Sequence, residues 1–89
     1  MNPAPLNVIT FIGLINQLRE EFAISCTCWF RTAARNKRVG GLVNSKHLKG
    51  LAVDIVRDKG TDKEALLKRI REMGLEYEDE PDHIHIEAP

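Results

Sequence analysis

A carboxylate set inside an apolar run is the strongest constraint on what this chain can fold into. Leu51 to Val56 reads as a short buried strand, yet Asp54 interrupts it. An isolated carboxylate there is costly unless it is paired or coordinates a cation. His47 lies seven positions earlier, just before Gly50, whose missing side chain permits a turn or a close backbone approach. Near the C-terminus, Asp82-His83-Ile84-His85 adds a His-x-His with an acid beside it. In a strand His83 and His85 project to one face, while Ile84 and Ile86 can join a core on the other. A loop histidine, a strand aspartate and a histidine of a neighbouring strand could converge on one ion. Such an N/N/O set suits zinc, at about 2.0–2.2 Å per ligand, and an open fourth position for water is the usual form of catalytic zinc. Taken singly, each residue also has a plainer reading. A histidine beside a core strand is more often a hydrogen-bonded structural residue, Asp54 can cap a turn, and His-x-His alone is a weak signal. The conjunction is what points to a metal and to hydrolysis.

The chain has 89 residues, enough for one domain spanning 1–89. A domain of that size buries only about 60–65% of its unfolded surface, so a metal that couples binding to folding would be a useful supplement. The formal charge is zero and the basic residues are dispersed, which leaves no nucleic-acid footprint. The densest basic group, Arg31, Arg35, Lys37 and Arg38, reads as a solvated loop rather than a polyanion site. Cys26 and Cys28 form a Cys-x-Cys pair. Two residues apart in a strand they share a face, but bridging them would make a strained ring. Both are expected to be reduced, half-buried strand residues made in a reducing compartment. The N-terminal stretch lacks a basic n-region and a small-residue cleavage site, so it does not read as a signal peptide. Its apolar stretch is too short and too interrupted to span a membrane. The expectation is cytoplasmic synthesis, no membrane partner, and action as a monomer.

Along the chain, Val8, Phe11, Ile12, Ile15, Leu18 and Phe22 recur at helical steps and predict an amphipathic helix from about Asn7 to Phe22. Ala23 to Phe30 reads as a strand. Arg31 to Ser45 reads as a long functional loop with one helical turn at Thr32–Asn36. After the Leu51–Val56 strand, Thr61-Asp62-Lys63-Glu64 reads as a capping box opening a helix that stops at Gly74. Leu75–Glu78 and His83–Ile86 close the chain as two strands. The result is an α+β fold with a small, mostly antiparallel sheet and flanking helices.

The segment Ser45-Lys46-His47-Leu48-Lys49-Gly50-Leu51-Ala52-Val53-Asp54 fits Ser-x-His-x-x-Gly-x-Ala-x-Asp. That pattern resembles the signature of the zinc D-alanyl-D-alanine carboxypeptidases. Their wider group includes the vancomycin-resistance D,D-dipeptidases and phage L-alanyl-D-glutamate endolysins, and shares its fold with the hedgehog signalling domain. Upstream, Trp29-Phe30-Arg31-Thr32, Asn36 and Val39-Gly40-Gly41 resemble the family's aromatic-Arg-Ser/Thr, Asn and Gly-Gly segment. Downstream, Asp-His-Ile-His is similar to its final ligand strand. The likeness runs from about Ile24 to Glu87.

The resemblance implies zinc on His47, Asp54 and His85, with His83 flanking the metal to help bind substrate or the oxyanion. It puts the general base three residues before the last ligand, at Asp82, with Asp79 and Glu80 as rivals. Arg31 matches the arginine that steadies the scissile carbonyl or a substrate carboxylate, for which a guanidinium fork is suited. Ser45 would bind substrate backbone or carboxylate, though a turn-capping hydroxyl is the plainer reading. The substrate implied is a peptidoglycan stem peptide, cut at a D-Ala–D-Ala or an L-Ala–D-Glu bond, and a phage or prophage lysis enzyme is the role expected. A non-catalytic, hedgehog-like zinc module and a metal-free interaction domain are the competing readings.

Overall fold

The computed structural model describes residues 6–30, 32–41 and 45–89. Its first element, α1 (Val8–Glu21), places Phe11, Ile15 and Leu18 on one fully buried face. Four- and three-residue spacing keeps these side chains in line over successive turns. Asn7 caps the start, its side chain accepting from the Thr10 amide at 2.8 Å, a contact worth about 1 kcal/mol. The expected ends, Asn7 and Phe22, are therefore caps rather than helical residues.

Strand β1 (Ile24–Cys28) follows, then α2 (Ala33–Arg38). The single turn expected at Thr32–Asn36 is a longer helix, because Thr32 caps it by accepting from the Arg35 amide at 3.2 Å. A 3-10 turn at Lys46–Lys49 leads into β2 (Ala52–Arg57), and α3 (Lys63–Glu72) connects to the hairpin of β3 (Glu76–Asp79) and β4 (Ile84–Glu87). The four strands form one sheet in the order β1-β2-β4-β3, with every neighbouring pair antiparallel. This agrees with the expected α+β architecture.

Alternation along the two central strands gives the sheet two different faces. Val53, Ile55, Ile84 and Ile86 point to one side, where they form a core with Phe11, Ile15 and Leu18 of α1 and Leu66, Leu67 and Ile70 of α3. Each such side chain contributes about 1.5–3 kcal/mol when fully buried. Asp54 and His85 alternate with these residues and face away from the helices.

Two local expectations are corrected. The cap of α3 is Asp62, whose carboxylate accepts from the Glu64 and Ala65 amides at 2.9 and 3.4 Å. Thr61 instead donates its hydroxyl to the Ala23 carbonyl at 2.7 Å, tying the α3 approach to the start of β1. The predicted stop at Gly74 holds: with φ of 77° it closes the helix, its amide on Arg71 and the Leu75 amide on Ile70. The cysteines, expected on one face, are separated by an irregularity in β1. Cys26 pairs with Ile55, but the next paired residue, opposite Asp54, is Cys28. The extra residue, Thr27, gives the strand a bulge that turns the chain by one position. Cys26 accordingly packs against the core, and Cys28 meets the Asp54 side.

Helices α1 and α3 are tied at the surface by Arg69, which donates from Nε and Nη2 to the two carboxylate oxygens of Glu21 at 2.7 and 3.1 Å. The Arg69 guanidinium holds the Glu21 carboxyl below its ordinary value. A depressed carboxylate adds stability above its unfolded pKa, which is lost as pH falls through the folded value. Glu21→Gln should therefore lower the denaturation midpoint at neutral pH, with the gap from the parent closing below about pH 4.3, the ordinary glutamate value. Chemical denaturation across a pH series checks this. A gap that persists unchanged in acid would mean that shape, not charge, joins the helices.

Candidate metal centre

The antiparallel register builds a row of side chains across the sheet on the face opposite the core. Cys28 of β1 lies opposite Asp54 of β2, Asp54 opposite His85 of β4, and His85 opposite Glu78 of β3. Directly paired residues bring their Cβ atoms to about 4.5–5.5 Å, so the register alone makes Asp54 and His85 neighbours. Their side chains meet, with His85 Nδ1 2.9 Å from Asp54 Oδ1.

His47 arrives from the 3-10 turn. It is 4% exposed, and its Nε2 stands 3.5 Å from the same Asp54 Oδ1. The rings of His47 and His85 lie edge to face, with centroids 5.2 Å apart. His47 Nδ1 donates to the Trp29 carbonyl at 2.8 Å. A proton committed to that carbonyl leaves the Nε2 lone pair facing Asp54, the tautomer that a metal-binding histidine needs. Trp29 is itself held by the core, its ring edge-to-face with Phe11 at 6.2 Å. The orientation of His47 is thus set from α1 through β1.

The turn that carries His47 is closed at both ends. Ser45 caps it, its hydroxyl accepting from the His47 amide at 3.2 Å, so the plainer reading of Ser45 is realised while the residue also lines the cleft. Gly50 ends the turn with φ of 71° and donates its amide to the His47 carbonyl at 3.3 Å. A Cβ on Gly50 would stand 3.4 Å from Val8 Cγ1 of α1. Lys46 bridges the turn to β4 through Glu87 Oε2 at 3.1 Å.

These residues line a cleft of about 780 Å³ whose walls carry the carboxylates of Asp54, Glu78, Glu80 and Glu87 against the ammonium of Lys46. Such a surplus of negative charge favours a cation. Two imidazole nitrogens and a carboxylate oxygen suit a divalent ion of zinc's type, so the donor set fits the metal. Glu87 adds a further device: its Oε1 lies 3.6 Å from His85 Nε2, on the ring edge opposite Asp54. A carboxylate there favours the proton on Nε2 and frees Nδ1 for a cation.

His83 borders the same cleft, its Nε2 3.9 Å from Asp54 Oδ1. Its Nδ1 donates to Asp82 Oδ1 at 2.7 Å. That bond raises the His83 pKa, with the Asp54 charge adding to it, and lowers that of Asp82. The Asp82 side chain is 88% exposed and borders an adjoining cleft of about 380 Å³, so it reaches the Asp54 side through His83. Of its two rivals, Glu80 lines the larger cleft, and Asp79 forms an ion pair with Lys63 at the start of α3. Arg31 lies outside the described residues.

Three contributors escaped the reading of the sequence: Cys28, Glu78 and Glu87. Glu87 was findable, since two residues beyond His85 in a strand it shares that face. Glu78 depends on the β3–β4 register and Cys28 on a bulge, neither of which has a local signature here. Cys28, His47 and Asp54 each bring one donor atom within 4.8 Å of the other two.

Residues 2–87 match the Peptidase M15 family. The chain belongs to that family, a family of metallopeptidases that are usually zinc-dependent. No curated protein and no solved structure matches the chain. Among the described residues, no helix is long and apolar enough to cross a membrane.

Gly50→Ala should cost about 1–2 kcal/mol, the scale of forcing a side chain into the left-handed region. It should also weaken metal binding by loosening the His47 turn. Urea denaturation and metal titration of one preparation check both effects, and a variant as stable as the parent would show that the turn tolerates a side chain.

Proposed function

We propose that this protein is a zinc peptidase acting on peptidoglycan stem peptides, at a D-Ala–D-Ala or an L-Ala–D-Glu bond. Its biological role would be that of a phage or prophage lysis enzyme, made in the cytoplasm and reaching the wall after release. Membership of the family supports the chemistry. The observation that carries the reading is the meeting of His47 Nε2 and His85 Nδ1 on one oxygen of Asp54, at 3.5 and 2.9 Å.

In this reading His47, Asp54 and His85 hold zinc. The bound ion would supply Lewis-acid polarisation of the scissile carbonyl and bring the pKa of water towards about 7. The family's peptide chemistry also needs a group that moves a proton from water to the leaving amine. Asp82 and His83 form that unit. Asp82 holds the Nδ1 proton of His83, which turns His83 Nε2 towards the cleft. A cationic His83 next to Asp54 can donate to a developing oxyanion or amine, and Asp82 keeps that charge stable. Glu80, also on the cleft wall, is the rival base. Arg31 is assigned the substrate carbonyl or carboxylate, and Ser45 the substrate backbone.

One observation favours a second reading, a non-catalytic zinc module of the hedgehog type. Cys28 brings a donor atom within 4.8 Å of those of His47 and Asp54, and a fourth protein ligand would leave no position for water.

His47→Ala and Asp54→Ala should each abolish both zinc binding and hydrolysis. Asp82→Ala and His83→Ala should retain about one zinc per chain while losing about 10²–10⁴-fold in turnover, the usual scale of a lost acid or base. Zymography on purified cell wall with and without chelator, metal analysis, and mass analysis of released muropeptides check these. Full turnover by Asp82→Ala would transfer the base to Glu80. Cell wall left intact by zinc-loaded protein would select the non-catalytic reading.

A further inference from the structure

We infer that Cys28 is a metal ligand of this centre, so that the ion is held by a thiolate together with His47 and Asp54. The inference rests on the reading of His47 and Asp54 as ligands, and adds a donor that the Ser45–Asp54 motif does not contain. Strand alternation would bury both cysteines on the core side. The bulge at Thr27 instead sends Cys26 to the core and sets Cys28 opposite Asp54 in the register. Cys28 Sγ reaches 3.9 Å from His47 Nδ1, and the three donor atoms lie within 4.8 Å of one another.

The chemistry favours that ion strongly. Thiolate is the softest donor available to a protein, binds zinc at about 2.3 Å, and loses its proton outright on coordination. Adding sulfur to an N/O set raises preference for zinc and cadmium over magnesium or manganese. His85 Nδ1 stands 2.9 Å from the Asp54 oxygen that faces this group.

Cobalt substitution separates this inference from the reading beneath it. Cobalt(II) bound by the full-length protein should give visible d–d bands from the centre itself. It should also give a near-ultraviolet sulfur-to-cobalt charge-transfer band from the thiolate. Cys28→Ser and Cys28→Ala should lose the charge-transfer band, keep the d–d bands, and bind cobalt more weakly by at least the 10–100-fold typical of losing a partner at a metal site. Cys26→Ser should leave both features intact. In the parent protein, zinc should protect Cys28 but not Cys26 from alkylation, as mapped by peptide mass. Visible bands with no charge-transfer band, or a charge-transfer band that survives in Cys28→Ser, would overturn the role of Cys28 and leave the metal centre standing. No cobalt binding at all would overturn both.

Discussion

The carboxylate of Asp54 is the point on which the rest of the site depends. Its strand neighbours Val53 and Ile55 are fully buried, so Asp54 cannot leave the sheet without exposing the core. A carboxylate held that firmly needs partners, and three histidines surround it from two directions. His85 comes from the adjacent strand β4 and His83 from the residue just before it, and His47 comes from the 3-10 turn. The same backbone that stabilises the fold therefore fixes how these side chains meet. Side chains carried on paired central strands are held more stiffly than those on loops.

The fold divides labour between the two faces of one sheet. Helices α1 and α3 seal one face with aliphatic side chains, and the other face is given over to charge. Communication between them runs through Trp29. Its ring packs on Phe11 in the core, and its carbonyl fixes the tautomer of His47 in the site. Gly50 plays a comparable part, since a side chain added to the turn that delivers His47 would meet Val8 of α1. The histidine is positioned by helix packing as much as by its own segment.

Much of this was legible in the chain. The periodicity of Phe11, Ile15 and Leu18 located α1, and Asp54 stood out because a carboxylate broke an apolar run, while only the family resemblance separated His85 from His83 as the ligand expected beside it and His47. The misreadings have local causes. Thr61 and Asp62 both cap well, and the choice between them was made by the Ala23 carbonyl, which claims the Thr61 hydroxyl. The longer α2 follows from the Thr32 cap, an ordinary signal hidden in a segment of weak periodicity. The bulge at Thr27 has no glycine or proline to announce it, so the separation of Cys26 from Cys28 could not be read from spacing.

By itself the sequence determined the element types, the apolar faces and the kinds of donor atom available, because these depend on side-chain chemistry and short-range spacing. The Ser45–Asp54 motif also carried the family, now matched over residues 2–87. Tertiary structure alone decided the strand order β1-β2-β4-β3, and with it the row Cys28, Asp54, His85 and Glu78 across the sheet. It also decided that Asp82 approaches the centre through His83 rather than directly. Those outcomes depend on register between strands distant in the chain, which is set by burying the aliphatic face as a whole and by no single residue in it.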